Sequence, residues 1–241
     1  MSLDASPAQV EAFMASVLPP DQLVELRALN VPTNLGPRTF SGFFTDHTKF
    51  AAAAANLSNA GASGVYFTLN PLKPTVSRAP RNVVTPASRG ALAKDLDVER
   101  SRWLLVDIDP ERPAKGASTD DEKALAGQVA FAVLSFLGKQ GWPEPILADS
   151  GNGYHLLYAL EDNAKVTSGV LKRVLKALAF MFDTPGAKVD QKVFNPSRIC
   201  KIYGTAARKG SGKGERPHRL ASCKPPAGGL EELPTRLLLT M

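Results

Sequence analysis

Cysteine is scarce in this chain of 241 residues, which contains only Cys200 and Cys223. The two do not form a CxxC pair, so a disulfide scaffold is not expected and a cysteine-rich zinc site is excluded within the chain. No uncharged apolar run reaches the roughly 18 residues that a membrane span requires. The amino terminus carries acids and lacks the basic-then-apolar pattern of a signal peptide. We therefore expect a cytoplasmic protein with no membrane partner.

Other common motifs are also missing. There are no internal repeats, and the glycine-rich segment GSGKGE (210–215) lacks the Ser or Thr and the preceding strand of a phosphate-binding loop, so no ATPase motor is expected. The aromatic content of 7% is modest for a surface that stacks nucleic-acid bases. What remains is an ordinary globular composition, with 44% hydrophobic and 22% charged residues.

The charge is distributed unevenly along the chain. Residues 165–241 contain 15 Lys and Arg but only 5 Asp and Glu, whereas residues 1–164 carry a net charge of −4. The excess is largest between Lys192 and Lys224, where nine basic residues accompany a single acid, Glu215. Such an asymmetry indicates a phosphate-rich partner, although a solvated basic surface would give the same composition.

The hydrophobic patterns predict alternating helices and strands. Helices are expected over 7–17, with Ser6 as the cap, and over 47–60, 119–140 and 165–182. Strands are expected over 23–31, 38–45, 64–72, 102–109, 146–150 and 154–160, the last two joined by a Gly-Asn-Gly hairpin turn. Residues 73–101 show little periodicity and predict a long loop or a small excursion.

The strand LLVDIDP carries two carboxylates, Asp107 and Asp109, among apolar residues. Residues two apart on a strand point to the same side, and an ionised carboxylate in an apolar setting costs several kcal/mol unless a partner or a metal offsets it. A third acid, Asp190, lies in the similar segment KVDQKVF. Three carboxylates suit hard, oxygen-preferring ions such as Mg²⁺ or Mn²⁺, and two such ions can support phosphoryl transfer. The pair alone also fits a capped turn or an arginine contact.

Two further motifs lie downstream of the paired acids. SGNGYHLLY (150–158) combines small residues, which let a backbone approach a ligand closely, with His155. NPSRICKIYGTAARKG (195–210) places Arg198, Lys201, Arg208 and Lys209 among small residues, and Arg and Lys both bind phosphate oxygens. Taken singly, His155 also fits a core residue of the hairpin.

The order of these motifs resembles the archaeo-eukaryotic primase superfamily, and more closely its primase–polymerases from phages, plasmids and mobile elements. The resemblance rests on hydrophobic-DxD, then SGNGYH, then hydrophobic-Asp leading into NPSRICKIYGT, and is most specific between residues 102 and 210. It implies an α/β (α+β) fold in which an RNA-recognition-like catalytic sheet packs with an amino-terminal α/β module, the active site lying in the cleft between them. The expected catalytic core spans 1–225, with modules of about 1–100 and 101–225, followed by a tail or linker over 226–241.

The resemblance also implies roles for individual residues. Asp107, Asp109 and Asp190 are expected to bind two Mg²⁺ or Mn²⁺ ions and to act in catalysis with His155. The expected nucleotide-binding residues are Ser150, Gly153, His155, Arg198, Lys201 and Lys209. Template contacts are expected from Asn70, Arg78 and Arg81, which equally fit turn and surface positions, and from Arg208 and Arg216.

The sequence thus predicts a template-directed primase–polymerase that transfers nucleotides from NTPs or dNTPs to a 3′-hydroxyl or to an initiating nucleotide. Its expected partners are a single-stranded DNA template, a primer strand and a replicative helicase in the same or a neighbouring chain. Two alternatives remain open: a metal-dependent nuclease or strand-transferase, and a non-catalytic single-stranded DNA-binding replication module.

Overall fold

The computed structural model describes residues 3–241 and has a mixed α+β architecture, which confirms the predicted fold class. The helices of more than one turn are α1 (Pro7–Val17), α2 (His47–Asn59), α3 (Asp120–Lys139), α4 (Ser168–Phe182) and α5 (Thr235–Leu239). The strands are β1 (Val24–Val31), β2 (Arg38–Phe44), β3 (Gly64–Thr68), β4 (Thr85–Pro86), β5 (Trp103–Pro110), β6 (Ile146–Asp149), β7 (Tyr154–Leu160), β8 (Ala187–Val189), β9 (Ile199–Lys201), β10 (Ala206–Ala207), β11 (Arg219–Leu220), β12 (Ser222–Lys224) and β13 (Glu232–Leu233).

The chain divides into two compact units. Unit 1 comprises the residues up to Arg100 together with Ser197–Lys209 and His218–Ser222. Unit 2 comprises Ser101–Pro196, Gly210–Pro217 and Cys223–Met241. The chain therefore leaves unit 1 at Arg100 and returns to it twice, so the basic segment that follows Asp190 contributes to both units.

Unit 1 is built on a five-stranded sheet in the order β4-β2-β1-β3-β9. Its core includes Phe13 of α1, whose ring makes edge contacts with Phe67 at 5.6 Å and with Tyr203 at 4.7 Å between centroids. The segment predicted as a loop over 73–101 packs through a small apolar cluster that contains Leu72, Val76, Ala93 and Val98 with Leu23 and Phe43. This cluster orders an excursion whose regular structure is limited to β4 and a single 3₁₀ turn over Asp95–Asp97.

A buried carboxylate anchors the same excursion to the sheet of unit 1. Glu25 on β1 is fully buried and accepts hydrogen bonds from Arg27 (Nη2, 2.6 Å), from the Ser41 hydroxyl (2.8 Å) and from the backbone N–H of Ala93 (2.9 Å). Because every partner is close, the burial cost of this charge is offset by hydrogen bonds.

Unit 2 has the element order β5-α3-β6-β7-α4-β8, a β-α-β-β-α-β arrangement typical of ferredoxin-like and RNA-recognition-like domains. Its sheet runs β12-β6-β7-β5-β8, and β13 adds to β7 in parallel. Val106 and Ile108 are buried on the face that also holds Tyr154, whose ring lies 3.2 Å from a β-carbon built at Gly127 of α3. The opposite face carries Asp107 and Asp109.

Most predicted elements lie within a few residues of their predicted positions, but three predictions were wrong in part. Ser6 precedes α1 but makes no side-chain capping hydrogen bond, and Pro7 at the first helical position supplies the start signal. The strand predicted over 64–72 ends at Thr68; Leu69 still donates to the carbonyl of Arg198, but Pro71 has no N–H with which to continue the ladder.

The segment 226–241, predicted as a tail or linker, instead belongs to unit 2. Glu232 and Leu233 pair with Ala159 and Leu160, and Leu233 and Leu238 are buried. Apolar burial and backbone pairing therefore hold this segment in the fold. Among residues 3–241, no helix combines the length and apolarity needed to cross a lipid bilayer.

Candidate active site

The paired acids lie at the end of β5 on one face of the unit 2 sheet. β5 pairs with β7 on one side, which sets Asp107 opposite His155. It pairs with β8 on the other side, where Asp109 is opposite Lys188 and the Asp190 N–H donates to the Asp107 carbonyl at 2.8 Å. Because directly opposed residues share a face, His155 and Asp107 lie side by side, and the backbone of Asp190, the residue after β8, joins Asp107 on its other side.

His155 and Asp107 contact each other through their side chains. The distance from His155 Nε2 to Asp107 Oδ1 is 3.3 Å, and their side chains are 7% and 20% exposed. His155 is buried, as the alternative prediction of a core residue in the hairpin expected. Its ring, however, also contacts a carboxylate and not only apolar neighbours. This contact orients Asp107.

Asp109 lies two residues further along β5, on the same face. A β-carbon added at Gly153 would lie 2.3 Å from the Ile108 carbonyl oxygen and 3.1 Å from Asp109 Oδ1. The absence of a side chain at Gly153 is thus what allows β7 to begin beside the carboxylate. The close approach that the structure shows is to Asp109 and the Ile108 carbonyl, and the approach of a ligand to these small residues stays a prediction.

Asp190 follows β8 and is held by its own loop. Its Oδ1 accepts the backbone N–H of Lys192 at 2.8 Å. Within residues 3–241, no three His, Cys, Asp or Glu side chains lie close enough as they stand to hold a metal ion. The donor set of Asp107, Asp109 and Asp190 nevertheless has the all-oxygen chemistry that Mg²⁺ and Mn²⁺ prefer.

The hairpin loop before His155 is closed by its own polar groups. The Ser150 hydroxyl accepts the Gly153 N–H at 3.0 Å, and Asp149 Oδ1 accepts the Gly151 N–H at 2.7 Å. Asn152 is buried, and its Oδ1 accepts the Ser118 N–H at 2.9 Å, which ties the hairpin to the loop before α3. Ser150 therefore has a turn-closing role, and its predicted nucleotide contact stays a prediction.

Two cationic residues at the site were missed by the sequence analysis. Arg112 donates to Asp109 Oδ1 at 3.1 Å and to the Gly116 carbonyl at 2.9 Å, with a side chain only 7% exposed. Lys188 is opposite Asp109 and forms an ion pair with Glu111 that raises the pKa of the lysine. Their positions in the sequence could have indicated both residues, because Arg112 is three residues after Asp109 and Lys188 is two residues before Asp190.

The basic residues predicted to bind triphosphate, Arg198, Lys201 and Lys209, belong to unit 1, whereas the three acids and His155 belong to unit 2. Lys201 is buried, with Nζ donating to the Thr205 hydroxyl and to the Ala206 carbonyl, both at 2.8 Å, and lying 5.5 Å from the centroid of the Tyr66 ring. Burial lowers the pKa of Lys201 to about 7, with a smaller contribution from the nearby Arg208 guanidinium. Its ammonium is thus engaged inside unit 1.

The predicted template residues in unit 1 also have internal partners. Arg78 binds both carboxylate oxygens of Asp97 and holds the pKa of that carboxyl below its usual range. Arg81 donates to the carbonyls of Pro74 and Val76, and Asn70 is buried. These contacts order the excursion over 73–101, and template binding by these residues stays a prediction.

Two more of the predicted template residues lie in the basic segment. Arg208 of unit 1 donates to the Ser58 carbonyl at 2.7 Å. Arg216 of unit 2 binds both carboxylate oxygens of Glu122 at 2.8 and 2.6 Å and the Ala117 carbonyl at 2.6 Å, and it lowers the pKa of Glu122. Arg216 therefore holds the loop before α3 in place, and this loop also contains Arg112 and Gly116.

Comparison with known proteins gives one structural likeness. No family model matches the sequence, and no curated protein matches it either. The structure is similar to a solved structure described as "Crystal structure of primase RepB'", with a TM-score of 0.52 and 11% sequence identity. The match covers 97% of this chain and 61% of that chain, so the chain spans less than two thirds of the length of the solved protein. At this identity the likeness shows that the chain has a primase-like fold.

Proposed function

We propose that the chain is a template-directed nucleotidyltransferase of the primase–polymerase type, which makes primers on single-stranded DNA and extends them. The observation that carries this proposal is the placement of His155 opposite Asp107, with Asp109 on the same face and the Asp190 backbone hydrogen-bonded to Asp107. A second support is the primase-like fold, which has the β-α-β-β-α-β order in unit 2.

In the proposed site, Asp107, Asp109 and Asp190 would hold two Mg²⁺ or Mn²⁺ ions. When bound, such ions stabilise negative charge on the attacking and leaving oxygens of a phosphoryl transfer. The carboxylates that would hold them differ in their present partners: His155 for Asp107, Arg112 for Asp109, and the Lys192 N–H for Asp190.

The proposed reaction joins a 3′-hydroxyl, or the hydroxyl of an initiating nucleotide, to the α-phosphate of an incoming nucleoside triphosphate. The new bond forms as the bond to pyrophosphate breaks, pyrophosphate departs, and the hydroxyl proton passes to solvent. His155 would hold Asp107 in place and donate to a triphosphate oxygen. Lys188 would add positive charge where the leaving pyrophosphate carries its negative charge, since it lies opposite Asp109 with a side chain 56% exposed.

The basic segment between Lys192 and Lys224 would bind phosphates of the triphosphate and of the template. Lys209 is exposed and has no internal role comparable to that of Lys201, so it is the stronger candidate of the two for a direct phosphate contact. The template is proposed to be single-stranded DNA, with a primer strand as co-substrate and a replicative helicase as the functional partner.

An assay with labelled single-stranded DNA, Mn²⁺ and nucleoside triphosphates tests this proposal. A primase–polymerase lengthens a primer, or forms new short products, only when triphosphates are present. A nuclease or strand-transferase would shorten or rearrange the DNA without triphosphates, and a non-catalytic binding module would retard the DNA without changing it. Either of the last two results would reject the proposed activity, and supplying ribonucleotides and deoxyribonucleotides separately would define the substrate.

A further inference from the structure

Helix α4 presents an exposed face that its packing role does not explain. Its apolar face is buried through Val170, Leu171, Val174, Leu175, Leu178 and Ala179. The opposite face carries the exposed residues Lys172, Arg173, Lys176 and Phe180, which we call the α4 stripe. At about 100° per residue these four side chains fall within an arc of about 100°. The stripe is therefore one continuous surface.

The composition of the α4 stripe is one-sided. α4 contains three basic residues and no acid, and the ring of Phe180 is 92% exposed. By contrast, the first turn of α3 in the same unit carries Asp120 and Asp121. A single exposed aromatic is ordinary on a protein surface. An exposed aromatic that ends a row of cations is the combination with which proteins bind single-stranded nucleic acid, since the cations meet phosphates and the ring stacks on a base.

The α4 stripe is adjacent to the segment that carries the third acid of the candidate site. Lys172 Nζ lies 5.0 Å from the centroid of the Phe194 ring, and Phe194 is four residues beyond Asp190. Lys192, between them, is exposed. Basic side chains thus continue from the segment after Asp190 along α4 to Phe180, all within unit 2.

The length of the stripe suits a short stretch of one strand. Phe180 is eight positions after Lys172, which corresponds to about 12 Å along a helix axis. At about 3.4 Å per nucleotide of a stacked strand, this length matches roughly three to four nucleotides.

We propose that the α4 stripe binds single-stranded nucleic acid, with Lys172, Arg173 and Lys176 on the phosphate backbone and Phe180 as a stacking platform. This proposal deepens the proposed function. It rests on that function only in taking the bound strand to be the template. The contribution of this surface to affinity is electrostatic and aromatic rather than sequence-specific.

The test is the binding of a labelled oligodeoxythymidine of about 20 nucleotides, a length that exceeds a typical single-strand site. Fluorescence anisotropy is recorded at several salt concentrations, without nucleoside triphosphate. The charge variant combines Lys172→Gln, Arg173→Gln and Lys176→Gln. The matched control combines Lys49→Gln, Lys94→Gln and Lys139→Gln, three exposed lysines outside α4. Circular dichroism checks that both variants remain folded.

If the stripe binds the strand, the charge variant lowers the slope of log affinity against log salt by about 2, because each phosphate that is no longer neutralised reduces the slope by about 0.7. Phe180→Leu weakens binding by about 5- to 150-fold, the loss expected for one stacked base, with an unchanged slope. A slope for the charge variant equal to that of the control would overturn the proposal. So would a charge variant that loses binding to anionic lipid vesicles while keeping oligonucleotide binding.

This outcome is independent of catalysis. The measurement is repeated with Asp107→Asn, which is expected to bind the oligonucleotide as wild type does. If the wild-type protein makes no primers but the stripe variants lose binding, the proposed function fails and the α4 surface stands. If primers are made and the stripe variants bind normally, the proposed function stands and the proposal for the α4 surface fails.

Discussion

Gly153 offers the sharpest test of the geometry that brings the acids together. A β-carbon at this position would lie 2.3 Å from the Ile108 carbonyl oxygen and 3.3 Å from the Asp109 α-carbon. Both atoms belong to backbone, so neither can rotate away, and Gly153→Ala must separate the start of β7 from the end of β5. Overpacking of this kind costs about 1–3 kcal/mol in the free energy of unfolding. For a chain of this size, that corresponds to a fall of roughly 2–12 °C in Tm.

Gly138 provides the matched control for this substitution. It lies in α3 of the same unit, and a β-carbon there would meet nothing within 4 Å. Gly138→Ala is therefore expected to raise stability by about 0.5–1 kcal/mol, because alanine favours a helix over glycine. Thermal unfolding of the two variants and the wild type, together with nucleotide incorporation, gives the comparison. A Gly153→Ala protein as stable and as active as wild type would refute the described pairing of β5 with β7.

Three further predictions concern buried polar groups. The folded pKa of Lys201 is about 7, below the usual value of 10.5, so the unfolded chain binds more protons between these two values. The free energy of unfolding should therefore rise from about pH 7 towards pH 10, by up to about 1.4 kcal/mol per pH unit. Urea unfolding of the wild type at several pH values should show this rise, and a Lys201→Met protein that retained it would contradict the assignment. The Tyr158 hydroxyl is buried without a hydrogen-bond partner among residues 3–241, so Tyr158→Phe should leave the free energy of unfolding unchanged or raise it by about 1 kcal/mol. If urea unfolding instead showed that the variant is destabilised by more than about 1 kcal/mol, the hydroxyl would have a partner and this prediction would be wrong. Glu25→Ala should cost about 3–5 kcal/mol, since it leaves the half-buried Arg27 guanidinium without its carboxylate partner. Hydrogen exchange should then show faster exchange of the Ala93 amide, which would stay protected if the carboxylate did not anchor the excursion.

Local pattern was sufficient to predict most elements of the fold. The apolar spacing in α3 and α4 and the Gly-Asn-Gly signal before β7 depend on neighbours within a few positions, and the structure places these elements within a few residues of their predicted bounds. The same alternation predicted that Asp107 and Asp109 share a face, as the strand pairing confirms. The alternation of side chains along the strand could not predict which residue contacts each carboxylate.

The features that the sequence analysis missed depend on distant residues. Glu25 is buried because Ser41 and Ala93, 16 and 68 positions away, meet its oxygens. The small residues around Lys201 gave no indication that it lies on the strand that pairs with β3, where its Nζ is enclosed. The segment 226–241 showed little pattern by itself, and its order comes from pairing with β7. Such long-range partners leave no local periodicity to detect.

The central claim is that Asp107, Asp109 and Asp190 carry nucleotide transfer. The most direct measurement is template-dependent incorporation of a labelled nucleotide, in Mn²⁺, by the variants Asp107→Asn, Asp109→Asn and Asp190→Asn. Asp121→Asn serves as the control, because it removes the same charge at an exposed position of α3. We predict that each of the three variants loses incorporation by at least about 100-fold while remaining folded, whereas the control incorporates as wild type does. Near wild-type incorporation by any of the three would contradict the proposed site.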